Sequence, residues 1–212
     1  MADEVLATDG RVIGERAAAT RQRLLDATLT LLQRDGVLDL KVVDITREAS
    51  AAPATFYQYF ADLDAAVLAL AEMAVDDEAP LVEFLQPVWA TEEDHARAVA
   101  FVDAYATYWN DHQAVLLVRN LKAEQGDIEF RAVRTRANLL LLRRMADMVS
   151  AGQEAGRITP KLDPFATAAA MMSMLDRLLA YSNELRRRGS SREAQRDTLV
   201  SILFHTLSGL QP

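Results

Sequence analysis

The fold is decided by residues 20–70, TRQRLLDATLTLLQRDGVLDLKVVDITREASAAPATFYQYFADLDAAVLAL. Apolar side chains in the first part of this stretch recur every three or four residues, which predicts an amphipathic helix from about Ala17 to Arg34. Gly36 is a plausible stop for that helix. The apolar stripe of this helix is predicted to be Leu24, Leu25, Thr28, Leu29, Leu31 and Leu32.

Two very short helices follow the first one. The pattern predicts one helix from about Val42 to Ala49 and another from Pro53 to Phe60, where proline suits the first helical turn. Such short helices are not stable alone, so they must pack on the first helix and bury residues such as Ile45 and Phe56. A three-helix unit with a short second pair is the geometry of a helix-turn-helix, whose last helix enters the major groove of DNA.

The polar groups of the last short helix divide by chemistry. The Tyr57 and Tyr59 hydroxyls could reach phosphate oxygens, which position a protein without reading sequence. The Gln58 amide could pair bidentately with adenine. A helical hairpin without DNA-binding function is the alternative interpretation of residues 42–60.

The order of these residues resembles the DNA-binding region of the TetR family of regulators. The resemblance rests on Thr20-Arg21, on Asp44-Ile45 and on the run ATFYQYF at residues 54–60. It implies an N-terminal DNA-binding domain, a C-terminal ligand-binding and dimerisation domain, and repression that a small molecule relieves. The predicted DNA contacts are Thr20, Arg21, Lys41, Arg47, Pro53, Ala54, Thr55, Tyr57, Gln58 and Tyr59.

Four positions depart from the family pattern. Ser50 stands where glycine is usual in the turn, and Ala52 replaces a common serine cap. Leu63 and Val43 stand where lysine and arginine are common. Residues 1–60 carry seven Arg/Lys and nine Asp/Glu in a chain of net charge −8. Because DNA binding needs local positive charge, these departures predict few phosphate contacts.

The rest of the chain also has helical periodicity and no sustained strand alternation, so the predicted class is all-α with about nine helices. The later helices are predicted over residues 63–79, 92–112, 113–124, 128–154, 164–187 and 192–207. Asp62 and Asp163 are the expected N-caps of two of them. The predicted domains are a flexible tail at 1–15, the helix-turn-helix domain at 16–62, and a ligand-binding and dimerisation domain at 63–212.

Composition excludes several classes of protein. The chain has no cysteine, which rules out disulfides and thiolate chemistry. The first residues lack the features of a signal peptide, and no stretch approaches the length of a membrane span. We therefore expect a cytoplasmic protein. The three histidines match no metal-ligand spacing, and no glycine-rich phosphate loop or G-x-S-x-G motif is present, so we expect no metal, no cofactor and no enzyme activity.

Aromatic and methionine side chains in the C-terminal part are candidates for a pocket that takes a small apolar ligand, with ordinary core packing as the alternative. The predicted lining is Phe101, Tyr105, Tyr108, Trp109, Met145, Met148, Met171, Met174, Leu175 and Leu178. Apolar stripes on the last two long helices predict a homodimer with a four-helix interface. The predicted interface residues are Leu199, Ile202, Leu203 and Thr206.

Two functions of different class fit these patterns. The first is a dimeric DNA-binding regulator, released from a roughly palindromic operator by a small apolar ligand. The second is an all-helical small-molecule-binding protein or enzyme with a non-functional helix-turn-helix. The only support for the second function is the scarcity of basic contacts in the N-terminal third.

Overall fold

A computed structural model describes residues 14–210. The described residues form nine α-helices and two 3₁₀ segments, Ala79–Leu85 and Glu92–Asp94, with no strand among them. The all-α class and the number of helices are therefore confirmed. The helices are α1 (Glu15–Asp35), α2 (Val42–Glu48), α3 (Pro53–Tyr59), α4 (Leu63–Glu78), α5 (His95–Glu124), α6 (Ile128–Glu154), α7 (Pro164–Ala180), α8 (Ser182–Arg187) and α9 (Arg192–Ser208).

The predicted helix ends are mostly present. Gly36 ends α1 with a positive φ of 78°, and Pro53 occupies the first turn of α3. The Asp62 and Asp163 carboxylates accept hydrogen bonds from Ala65 N at 2.8 Å and Ala166 N at 2.7 Å. These carboxylates satisfy amide groups that have no partner within the helix.

Two predictions about helix division were wrong. Residues 92–112 and 113–124 were expected as separate helices, but α5 runs without a break from His95 to Glu124, a span with no glycine or proline to interrupt it. The predicted helix over 164–187 is two helices. The chain leaves helical geometry at Tyr181, with φ −94° and ψ 2°, although no glycine or proline marks the position.

The described residues divide into two compact units. The first comprises the described residues up to Val75 together with Ala114–Arg134. Its core is built on fully buried residues of α1 to α4, including Leu24, Leu25 and Phe56. Residues of α5 and α6, among them Val115 and Phe130, complete the same core.

The second unit comprises Asp76–Gln113 and the described residues from Thr135 onward. Its largest fully buried side chains include Trp89, Trp109, Phe101 and Phe204. Each unit is built from two separate segments of the chain, whereas each predicted domain is one continuous segment. The domain boundaries stay a prediction, and the predicted tail, residues 1–15, lies outside the described residues except for Gly14 and Glu15.

Candidate functional site

The turn between α2 and α3 sets the geometry of the helix pair. Ser50 has φ 51°, a left-handed conformation that costs a residue with a Cβ roughly 1 kcal/mol. Ala51 N donates to Thr46 O at 2.8 Å and Ser50 N donates to Arg47 O at 3.1 Å, which closes the end of α2. The turn therefore takes the conformation that glycine favours, with serine in its place.

Burial fixes the orientation of α3. Phe56 is fully buried and Phe60 nearly so, and their ring centroids lie 5.4 Å apart. Ile45 of α2 is also fully buried in the same core. Because α3 is anchored by this face, its opposite face must point to solvent.

The solvent face of α3 brings together the predicted DNA contacts of this helix. Pro53, Ala54, Tyr57 and Gln58 are exposed, and the Tyr57 side chain is 53% accessible. Thr55 and Tyr59 are half-buried beside them. An exposed helix of seven residues that carries one amide and two phenols can offer hydrogen bonds to DNA bases and phosphates.

The predicted basic contacts are less available than the polar ones. Arg47 is exposed, but its Nη1 lies 2.8 Å from Asp44 Oδ1. The Arg21 guanidinium lies over the Phe60 ring, 5.2 Å from its centroid. Burial lowers the pKa of Arg21, and the nearby Glu72 acts in the opposite sense.

The remaining two predicted contacts lie at the start of α2 and within α1. Lys41 is exposed at the start of α2. The Thr20 hydroxyl donates to Arg16 O at 3.0 Å. The sequence did not indicate the Asp44–Arg47 pair as a feature of this surface, although a spacing of three residues on a helix is the usual signal for one.

In the second unit, the predicted pocket residues are mainly buried side chains. Phe101, Tyr105, Tyr108, Trp109, Met145, Met148 and Leu175 are buried, and Met171, Met174 and Leu178 are half-buried. Three consecutive aromatic rings, Phe101, Tyr105 and Tyr108, contact each other along α5 with centroids 5.9 Å apart at each step.

This aromatic cluster is less apolar than the sequence suggested. The Tyr105 hydroxyl donates to Asp176 Oδ1 at 2.5 Å, and the Tyr108 hydroxyl donates to Glu78 Oε2 at 3.1 Å. Burial, followed by the charges of Asp176 and Glu78, holds the pKa of Tyr105 well above its usual value. Tyr105 therefore stays a neutral hydrogen-bond donor.

A cavity of about 200 Å³ lies elsewhere in the second unit, between α5, α7, α8 and α9. Of the ten predicted pocket residues, Leu178 alone lines it. Its apolar wall is Val102, Ala106, Leu178, Leu179 and Leu199. Its polar lining is Asp103, Asn110, Gln113, Ser182, Asn183, Arg192, Gln195 and Arg196. Sequence reasoning missed these polar residues because they come from several helices and share no local motif.

The predicted interface residues of α9 differ in exposure. Leu199 and Leu203 are buried within the protomer, at 2% and 0% accessibility. Ile202 is exposed and Thr206 is half-buried. Of the predicted set, therefore, Ile202 and Thr206 are the residues able to contact a second chain.

No group of three or more His, Cys, Asp or Glu side chains within residues 14–210 is arranged to hold a metal ion. Within the same span, every helix falls short of the length and apolar character that crossing a membrane requires.

Comparison with protein families gives two matches. Residues 82–212 match the family described as "Tetracyclin repressor-like, C-terminal domain". Residues 24–70 match "Bacterial regulatory proteins, tetR family". The two matches together cover the helix-turn-helix and most of the remaining chain. No curated protein sequence matches the chain.

Several solved structures share the fold. A transcriptional regulator FadR from Bacillus subtilis in complex with stearoyl-CoA is 15% identical, with a TM-score of 0.65 over 90% of this chain and 99% of its own. A putative transcriptional regulator from Saccharomonospora viridis in complex with choline is 21% identical, with a TM-score of 0.69 over 90% and 98%. A protein of unknown function from Rhodococcus sp. RHA1 is 22% identical, with a TM-score of 0.67 over 89% and 95%.

Proposed function

Because the chain belongs to the TetR family of bacterial transcriptional regulators, we propose that it is a repressor which binds operator DNA and is released by a small molecule. We place its action in the cytoplasm, where the DNA is. The observation that carries the proposal is the solvent face of α3, where Tyr57 and Gln58 are exposed above a fully buried Phe56.

The proposed DNA contacts follow from that face. Gln58 reads a base in the major groove, while Tyr57 and Tyr59 bind phosphate oxygens and fix the register. Lys41 at the start of α2 adds a phosphate contact. Arg47 contributes its charge only in part, since the Asp44 carboxylate lies 2.8 Å from it.

We further propose a homodimer. Twofold symmetry places the two recognition helices about one DNA turn apart, roughly 34–36 Å, and so requires a roughly palindromic operator. Ile202 and Thr206 on α9 are the proposed contacts of the dimer interface. Ile202 is 41% accessible in the single chain, so its side chain is available to contact a second copy.

The effector is proposed to bind in the second unit. The relatives from Bacillus subtilis and Saccharomonospora viridis were solved with stearoyl-CoA and with choline, which supports a small-molecule effector without identifying it. An effector releases DNA by binding more tightly to the conformation whose recognition helices are wrongly spaced. Couplings of this kind change DNA affinity about 5- to 150-fold.

One alternative is favoured by a specific observation. The Asp44–Arg47 pair and the net charge of −8 suit a small-molecule-binding protein whose helix-turn-helix has lost its function. That protein would retain the cavity of the second unit but would not recognise DNA.

A gel-shift experiment separates the two functions. The probe is the DNA upstream of the protein's own gene, and the control probe is the same DNA with its order of bases scrambled. The repressor retards the upstream DNA at a protein concentration about a thousandfold below that needed for the scrambled DNA. Retardation of neither probe, or equal retardation of both, would favour the alternative.

A further inference from the structure

The cavity of the second unit has a charge opposite to that of the chain. Its ionised lining groups are the guanidinium groups of Arg192 and Arg196 and the carboxylate of Asp103, which leaves a net charge of +1. The whole chain has a net charge of −8. A cationic cavity in an acidic protein is a local feature that general composition does not explain.

The two guanidinium groups are not equivalent. Arg196 forms a two-pronged ion pair with Asp103, with Nε 2.5 Å from Oδ1 and Nη2 2.7 Å from Oδ2. Its third nitrogen, Nη1, lies 3.3 Å from Asp197 Oδ1, so the charge of Arg196 is fully compensated. This pair lowers the pKa of Asp103 and raises that of Arg196, so both groups stay ionised. Within the described part of the chain, Arg192 has no carboxylate within 4 Å. Arg192, which is exposed to solvent, therefore supplies a positive charge without an ion-pair partner.

The walls of the cavity are held in place by polar contacts between helices. The Arg196–Asp103 pair joins α9 to α5. The buried Gln195 amide donates to Ser182 O at 3.3 Å and to Ser190 O at 2.9 Å, which joins α9 to the start of α8 and to the loop before α9. Because these contacts already fix the walls, ligand binding costs little free energy for ordering side chains.

We propose that this cavity binds a small organic anion, with its carboxylate or similar group on Arg192 and its apolar part against Val102, Ala106 and Leu199. The inference rests on the proposed function, in which this anion is the effector. The size of the cavity sets the size of the ligand. A cavity of 150 Å³ holds benzene, so about 200 Å³ holds roughly eight to nine non-hydrogen atoms.

Other classes of ligand fit the lining less well. A cation would meet Arg192 without finding a free carboxylate, because both oxygens of Asp103 are bonded to Arg196. A neutral apolar molecule would displace water from the lining amides of Asn110, Gln113 and Asn183 without replacing its hydrogen bonds. An anion uses both the positive charge and the amide hydrogens.

The test compares three probes of nearly equal shape: benzoate, benzamide and benzylammonium. Ligand-observed NMR titrations at constant ionic strength give a Kd for each with the full chain, in the absence of DNA. We expect benzoate to bind with a Kd of about 1 mM or tighter. Benzamide and benzylammonium should bind at least tenfold more weakly. Equal affinity for the three probes, or no binding of benzoate, overturns the proposal.

Two variants assign the binding to this cavity. Arg192→Gln should weaken benzoate binding about tenfold or more, because a charge-assisted hydrogen bond is lost. Arg187→Gln removes the same charge from an exposed position outside the lining and should leave the Kd unchanged. Ala106→Trp should fill the cavity and abolish binding. Circular dichroism verifies that each variant is folded. Equal losses in the Arg192 and Arg187 variants would show that the charge effect is not local.

Because this titration contains no DNA, its failure is distinct from failure of the proposed function. If the chain binds its operator but not benzoate, the proposed anion site is excluded and the proposed repressor function stands. If the chain binds benzoate in this cavity but recognises no DNA, the anion site stands and the proposed repressor function is excluded.

Discussion

At the scale of single residues, two side chains limit the helix-turn-helix. Ser50 adopts φ 51° in the turn, and Asp44 accepts a hydrogen bond from Arg47 Nη1 at 2.8 Å. The position of Ser50 was identifiable from sequence, because glycine is usual there in the family. The pairing of Asp44 was signalled only by its spacing of three residues from Arg47, which permits an ion pair without requiring one.

Replacing Ser50 by glycine should stabilise the protein. Glycine adopts a left-handed conformation without the cost that a Cβ incurs, although it also raises the entropy of the unfolded chain. We expect the free energy of unfolding to rise by about 0.5–1 kcal/mol in urea denaturation. The control Ser201→Gly, at an exposed site within α9, should lower it by a few tenths of a kcal/mol. Loss of stability in Ser50→Gly would show that the turn is not strained.

Replacing Asp44 by asparagine should strengthen DNA binding. The change frees Arg47 and removes a negative charge from the proposed DNA surface, which adds about one phosphate contact. We expect the slope of log affinity against log salt to steepen by about one, measured by fluorescence anisotropy. Glu154→Gln makes the same charge change at an exposed site in the second unit and should alter the slope little. An unchanged slope in Asp44→Asn would place Arg47 away from the phosphates.

At the scale of helices, the sequence predicted elements that have local signals. The helix starts at Pro53 and Asp163 were predictable because proline and aspartate act on the helix turn in which they lie. The break at Tyr181 was not, because no residue there disfavours a helix. The cavity lining could not be predicted from the sequence either, because its polar side chains come from several helices and become neighbours only after folding.

The exposed face of α9 provides a prediction about assembly. Ile202→Glu should place charge in the proposed interface without disturbing the protomer, because Ile202 is 41% accessible. We expect the sedimentation coefficient to fall from that of a dimer to that of a monomer. Leu38→Glu, at a side chain that is 93% accessible in the first unit, is the matched control and should remain dimeric. A dimeric Ile202→Glu protein would exclude this face from the interface.

At the scale of the whole molecule, the proposed function assigns DNA binding to the first unit and effector binding to the second. The first unit presents the exposed side of α3, and the second contains the cationic cavity. In the proposed mechanism, the dimer sets the spacing of the two recognition helices, and the effector changes that spacing. The regulator class followed from motif order in the sequence, whereas the chemical class of the effector could be inferred only from the folded second unit.

The most direct test of this account is selection of binding sites from random double-stranded DNA. The full chain should enrich a twofold-symmetric sequence whose half-sites are centred about one DNA turn apart, roughly 10 base pairs. Gln58→Ala should enrich the same symmetric sequence with the preference relaxed at one position in each half-site, at a cost of about 1–3 kcal/mol per reading contact. Enrichment of no sequence by the unaltered chain, or of the same sequence at full preference by Gln58→Ala, would contradict the assignment of α3 as the recognition helix.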